Sequence, residues 1–167
     1  MTMVKTILVA TDFSEPSDAA LLYGRELAGR FGATLHVLHA VQDIYVGALG
    51  AENSSALPPY LQQQIEDEAR RRVNELVVDS DRSGPATVPV VVTSSSPALS
   101  IVDYAKDHGI DMIVMGTHGR GALARLMMGS VAERVVRLAP CAVLTVRHPE
   151  HEFVRPDALT ASAHMRP

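Results

Sequence analysis

The sequence predicts an α/β fold, an open five-stranded parallel sheet with helices on both faces. Three observations carry that expectation. Five short runs rich in β-branched and aliphatic residues recur along the chain. Those runs are apolar at consecutive positions, as in strands covered on both sides. Helical segments separate them, and strict alternation implies right-handed crossovers between parallel strands. The length of 167 residues fits one domain, and an apolar content of 47% suffices for a packed core.

The first strand is Val4–Ala10 (VKTILVA). Thr11-Asp12-Phe13-Ser14 then turns, with Ser14 as N-cap and Pro16 in the first helical turn. Ala20, Tyr23, Leu27 and Phe31 recur at spacings of three and four and predict the buried face of a helix that Gly32 ends. Thr34–Val41 is the second strand. Residues 42–59 lack a period and hold Gly47, Gly50 and Pro58-Pro59, so a long loop with some local helix is expected. From Tyr60 a helix returns, with Leu61, Ile65, Ala69, Val73, Leu76 and Val77 on one stripe. Its outer face offers the pairs Glu66–Arg70, Asp67–Arg71 and Glu68–Arg72. Acids one turn earlier neutralise Arg70-Arg71-Arg72, which therefore reads as a solvated face.

Ser83-Gly84-Pro85 turns into the third strand, Thr87–Thr93, where Pro89 suits an edge position. Ser94-Ser95-Ser96-Pro97 opens the third helix, with Ala98, Ile101, Val102 and Ala105 inward and Gly109 closing it. Asp111–Met115 is the fourth strand. A glycine-rich loop and a helix over 130–138 lead to the fifth strand, Cys141–Arg147. Residues 1–147 thus form the domain. The segment 148–167, with three prolines and three histidines, reads as a polar tail.

Composition narrows the function. A net charge of −4 argues against a nucleic-acid surface. The single Cys141 rules out an internal disulfide and reads as an inert core thiol. No run approaches the roughly 20 apolar residues of a membrane helix, and the start lacks the order of a signal peptide. A reduced, cytoplasmic setting is the expected default. His36 and His39, three apart on a strand, face opposite sides and cannot form one simple metal pair. His148 and His151 would make only a weak two-ligand site.

The glycines after the fourth strand are the chemical signal. Gly116 and Gly119 leave the strand, and Gly129-Ser130 open the next helix. Glycines admit close backbone approach and positive φ. A helix start presents amide groups and a positive dipole end, which suits a phosphate. His118, Arg120 and Arg125 lie in the same loop and are candidates to meet phosphate charge. A P-loop is excluded, because Ala122-Leu123 stands where Lys-Ser/Thr is required. Gly119-Arg-Gly121-Ala-Leu-Ala124 spells a dinucleotide fingerprint, but it follows the fourth strand and has no acid about 20 residues on.

Several segments together resemble the universal stress proteins. They are Lys5-Thr-Ile-Leu-Val-Ala-Thr-Asp12-Phe-Ser14, Leu38-His39-Ala40, Asp111-Met-Ile-Val-Met-Gly116, Gly129-Ser130-Val-Ala-Glu133 and Ala139-Pro140-Cys141-Ala142-Val143-Leu144. The resemblance spans roughly residues 3–147. Gly116, Gly119, Gly129 and Ser130 reproduce the G-x2-G-x9-G-[ST] spacing of the nucleotide-binding branch. It implies an adenine nucleotide alpha hydrolase-like sheet of order 3-2-1-4-5 and an ATP site at the switch point between strands one and four. By the same resemblance, Ala10, Asp12 and Ala40 lie near adenine and ribose, and Met115 and Gly116 line the nucleoside side. Gly119, Gly129, Ser130 and Val131 hold the phosphates, with any Mg²⁺ carried on phosphate oxygens. Family members commonly pair the fifth strand with its copy in a second subunit, so a homodimer is expected.

Two departures stand out. Ser94-Ser95-Ser96-Pro97 replaces a frequent glycine before the third helix, and Ala142 replaces a frequent proline. The function implied is that of a dimeric ATP-binding stress or signalling protein with little turnover. No base-and-nucleophile set or acidic metal cluster is readable, which argues against fast catalysis. Slow hydrolysis or autophosphorylation stays open. A nucleotide-free scaffold is opposed by the intact glycine motif.

Overall fold

A computed structural model describes residues 3–48, 57–58, 60–78, 84, 86–117 and 128–147. Five strands form one parallel sheet: β1 (Thr6–Ala10), β2 (Thr34–Gln42), β3 (Thr87–Ser94), β4 (Met112–Gly116) and β5 (Ala142–Val146). Their order is β3-β2-β1-β4-β5, as expected. The helices are α1 (Glu15–Phe31), α2 (Ile44–Ala48), α3 (Leu61–Val78), α4 (Pro97–Asp107) and α5 (Ser130–Leu138). The short α2 is the local helix expected within 42–59. The Asp43 carboxylate accepts the Tyr45 and Val46 amides at its start. The tail at 148–167 lies outside the described residues.

Two apolar layers sandwich the sheet. Ile7, Val9, Leu35 and Val37 face α1 and α3, whereas Leu8, Leu38, Ile113 and Met115 face α4 and α5. Central strands buried on both faces explain their uninterrupted apolar runs. Pro89 lies in β3, an edge strand, opposite Val37. Gly32 and Gly109 follow α1 and α4 with φ of 64° and 58°, left-handed geometry that glycine adopts without a Cβ penalty.

The buried face of α1 differs from the expected one. Tyr23 and Phe31 are 42% and 52% exposed, while Ser17, Ala20, Leu21, Gly24 and Ala28 are buried. The helix lies so close to β1 that a Cβ on Gly24 would stand 2.3 Å from Val9 Cγ2. Ala20 and Leu27 pack inward as expected, small residues take the closest contact with β1, and the two aromatics turn outward. On α3, Ala69 and Val73 are buried as expected, but Ile65 is 37% exposed.

The α3 ion pairs also differ in detail. Glu66 pairs with Arg70 as expected, Arg70 also reaches Asp67, and Arg71 pairs with Glu68 and Glu75. Arg72 instead lies on the Phe13 ring.

The lower end of the sheet is tied by Asp111. Its carboxylate accepts the Lys5 and Thr6 amides at 2.8 and 3.0 Å and the Thr6 hydroxyl at 3.1 Å. These bonds, that from Lys5 foremost, hold its pKa below the ordinary value.

Candidate functional site

Parallel strands carry their helices back on the faces, so the carboxyl ends of neighbours that diverge leave a crevice. Here α1 leaves β1 on one face and α5 follows β4 on the other. A cavity of about 420 Å³ opens between them. Ala10, Asp12, Ala40, Met115, Gly116, Gly129, Ser130 and Val131 all line it, so eight of the nine sequence-derived site residues meet there. The ninth, Gly119, lies outside the described residues, as do His118, Arg120 and Arg125.

The cavity has two chemical halves. Ala10, Leu38, Ala40, Ile101 and Met115 give an apolar wall, while Asp12, Thr117 and Ser130 give a polar side. Leu38, Pro97, Ile101 and Ala132 were not foreseen as lining residues. Their apolar character marks them as core; Leu38 reaches the cavity from β2 and Ala132 from α5, and the crossing of α4 over the sheet brings Pro97 and Ile101 there.

Asp12 is placed by a tight turn. Thr11 Oγ1 accepts the Phe13 amide at 3.0 Å, and Asp12 Oδ1 accepts the Ser14 amide at 3.2 Å and the Ser14 hydroxyl. Ser14 is the N-cap residue of α1, as expected, with its hydroxyl turned to Asp12. The buried Ser17 hydroxyl accepts the Ser14 amide at 3.0 Å and donates to the Ser14 carbonyl at 2.8 Å. His39 Nδ1 donates to the Thr11 carbonyl at 2.8 Å, so that nitrogen carries the proton. Phe13 has φ of 61°, a left-handed backbone costing a bulky residue about 1–2 kcal/mol.

Neither cavity glycine uses positive φ. Gly129 has φ of −62°, open to any residue. Gly116 is needed for proximity, because a Cβ there would stand 3.0 Å from the backbone and side chain of Pro16. The close approach expected at Gly116 is therefore to α1 itself. The Gly129 amide donates to the Thr117 carbonyl at 2.7 Å, closing the base of the loop between them. At the α5 start, Ser130 and Val131 amides lack partners inside the helix by the geometry of a helix terminus.

Among the described residues, Asp12 is the one carboxylate lining the cavity, and no group of three His, Cys, Asp or Glu is suited to a metal. His36 and His39 fall on opposite sheet faces as expected, bonded to the Tyr104 hydroxyl and the Thr11 carbonyl. Cys141 is partly buried, and burial pushes its thiol pKa up, away from thiolate chemistry. Among the described residues, no helix is long and apolar enough to cross a membrane.

Comparison with known proteins places this geometry in context. The model of the universal stress protein family matches residues 3–147. Universal stress protein MJ0531 of Methanocaldococcus jannaschii is 32% identical over 150 residues, covering 90% of this chain and 86% of the relative. The solved structure of MJ0577, a universal stress protein of the same organism, has a TM-score of 0.74 and 27% identity, with coverage of 90% and 100%. A universal stress protein solved in complex with cAMP shares the fold at a TM-score of 0.54 and 24% identity, with coverage of 87% and 98%.

Proposed function

The chain belongs to the universal stress protein family, and from that premise we propose that it binds ATP in the β1–β4 crevice as a dimeric signalling protein with little turnover. One observation carries the reading: one cavity is lined by an apolar wall, a carboxylate and a helix start. Adenine is a flat, largely apolar group and fits beside Ala10, Leu38, Ala40 and Met115. Ribose hydroxyls donate hydrogen bonds, which the Asp12 carboxylate accepts. Phosphates meet the amides of Ser130 and Val131, the Ser130 hydroxyl and the positive end of the α5 dipole.

Gly119 belongs to the same phosphate loop in this reading. Gly116 seats the end of β4 against Pro16 on the nucleoside side, and Gly129, its amide held by the Thr117 carbonyl, keeps the α5 start free of a side chain where phosphate approaches. With one carboxylate at hand, Mg²⁺ is carried on phosphate oxygens. A regulatory role follows because the cavity offers a ligand-binding surface without a visible nucleophile and base pair. Occupied and empty states then present different surfaces to a partner.

Calorimetry with ATP and with adenosine tests the assignment. ATP binding at micromolar affinity is expected, with turnover below about 1 s⁻¹, the low end of ordinary enzyme rates. Ser130→Ala removes a hydrogen bond to a charged group, worth about 1.5–3 kcal/mol. ATP should therefore weaken roughly ten- to a hundredfold while adenosine changes little. Equal losses for both ligands, or no ATP binding with or without Mg²⁺, overturn the assignment.

A further inference from the structure

We propose that Arg72 is a positioning residue for Asp12, acting from outside the cavity through a stack on Phe13. The inference rests on the nucleotide reading for its ligand, but its structural content stands apart from it. Arg72 belongs to α3 and does not line the cavity. Its guanidinium carbon lies 3.9 Å from the centre of the Phe13 ring. The His39 imidazole packs on the same ring with centroids 4.3 Å apart. His39 also donates to the Thr11 carbonyl. Residues on both sides of Asp12 are thus gripped, the preceding peptide by His39 and the following side chain by the stack.

The reason for such a grip is the backbone at Phe13. A bulky residue at φ of 61° holds that conformation only when its surroundings over-determine it. The Thr11 hydroxyl and the Ser14 contacts supply part of that constraint from within the turn. Arg72 and His39 supply it from α3 and β2. The neighbouring arginines are engaged differently: Arg70 and Arg71 pair with acids along α3, whereas Arg72 turns to the ring. A guanidinium over an aromatic face is attracted by the ring quadrupole, more strongly when partly desolvated. Releasing the ring lets the turn relax, and the Asp12 carboxylate then leaves its place at the cavity.

The test compares Arg72→Gln, Arg72→Lys and wild type, alone and with Asp12→Asn. The probes are adenosine and 2′,3′-dideoxyadenosine, which lacks the hydroxyls assigned to Asp12. Arg72→Gln should weaken adenosine about three- to tenfold, the range of a partly desolvated cation–π contact. It should leave the dideoxy compound unchanged and add nothing once Asp12 is Asn, because coupled residues are non-additive. Arg72→Lys, which keeps a cation over the ring, should recover most of the loss. In the unliganded protein, amide NMR signals of Asp12, Phe13 and Ser14 should move in Arg72→Gln while those of Gly129 and Ser130 stay. Equal loss of both probes, full additivity with Asp12→Asn, or unmoved signals at 12–14 overturn the proposal. Should wild type bind neither probe, the nucleoside half of the nucleotide reading fails by itself, and the amide signals alone decide the role of Arg72.

Discussion

Gly116 and Gly129 share one sequence motif, yet their side chains are missing for different reasons. At Gly116 a Cβ would meet Pro16 at 3.0 Å, backbone included, and a helix start cannot step aside freely. Gly116→Ala should therefore destabilise the empty protein by about 1–3 kcal/mol, the usual cost of overpacking. Urea denaturation checks this, and unchanged stability would place the need for glycine in the ligand instead. Gly129 sits at φ of −62°, so Gly129→Ala meets no backbone strain, and its effect should appear in ATP affinity. A different residue governs the acid response. His36 bonds the Tyr104 hydroxyl at 2.8 Å, and burial, then the charge of His108, lowers its pKa from 6.5. The unfolded chain therefore takes up a proton at higher pH than the folded one. Stability from this group is complete above about pH 6.5 and is lost as pH falls through the lowered folded value. Denaturant midpoints followed from pH 8 to 5 should fall less in His36→Gln than in wild type (range set around the ordinary histidine pKa). An identical fall would remove His36 from the account.

At the scale of elements, α1 shows where sequence reading succeeds and fails. Its ends were legible, because Ser14 and Pro16 mark a helix start and Gly32 a left-handed stop. Its buried face was legible only in part: Ala20 and Leu27 pack on the core as expected, but Tyr23 and Phe31 do not, since hydrophobic periodicity assumes that large apolar residues go inward. Here Gly24 and Ala28 take the sheet side and Leu22 stands 66% exposed. The central strands β1 and β4 were legible for the opposite reason: burial on both faces leaves only apolar residues at their centres. Gly116, Gly129 and Ser130 were legible through spacing and the strand-end residues Ala10, Asp12, Ala40 and Met115 through the family resemblance, whereas Pro97 and Ile101 reach the cavity only by a helix crossing that sequence does not encode locally. The same close seating of α1 makes a prediction. Gly24→Ala gains about 1 kcal/mol of helix propensity. It also forces a Cβ to 2.3 Å from Val9 Cγ2, a fully buried atom in a packed core. Overpacking of about 1–3 kcal/mol outweighs the gain, so a net loss of stability is expected. A higher thermal midpoint for Gly24→Ala would show that α1 lifts from the sheet at no cost.

For the whole molecule, the decisive surface is the β5 edge. One side of β5 pairs with β4, and the other has no partner strand among the described residues. An apolar edge with unpaired amides and carbonyls is a pairing hazard unless something covers it. Leu144 on that strand is 37% exposed, and Val146 of the same strand borders a cavity of about 530 Å³ with Ala19, Leu22 and Tyr23 of α1 and the charged Glu15, Asp18 and Arg147. A second copy related by a two-fold axis would pair the edge antiparallel and cover both leucines, since such an axis matches each patch with itself. Position matters in testing this. Val146 is 6% exposed, so a charge there would damage the core as well as any interface. Leu144→Lys places its charge on the exposed face and spares the packing beneath. Light scattering of wild type should give twice 18.0 kDa, about 36 kDa, and Leu144→Lys should give the single-chain mass with an unchanged circular dichroism spectrum. A wild-type mass of 18.0 kDa at micromolar concentration would show that β5 is protected some other way. A Leu144→Lys dimer as tight as wild type would place the contact on another face.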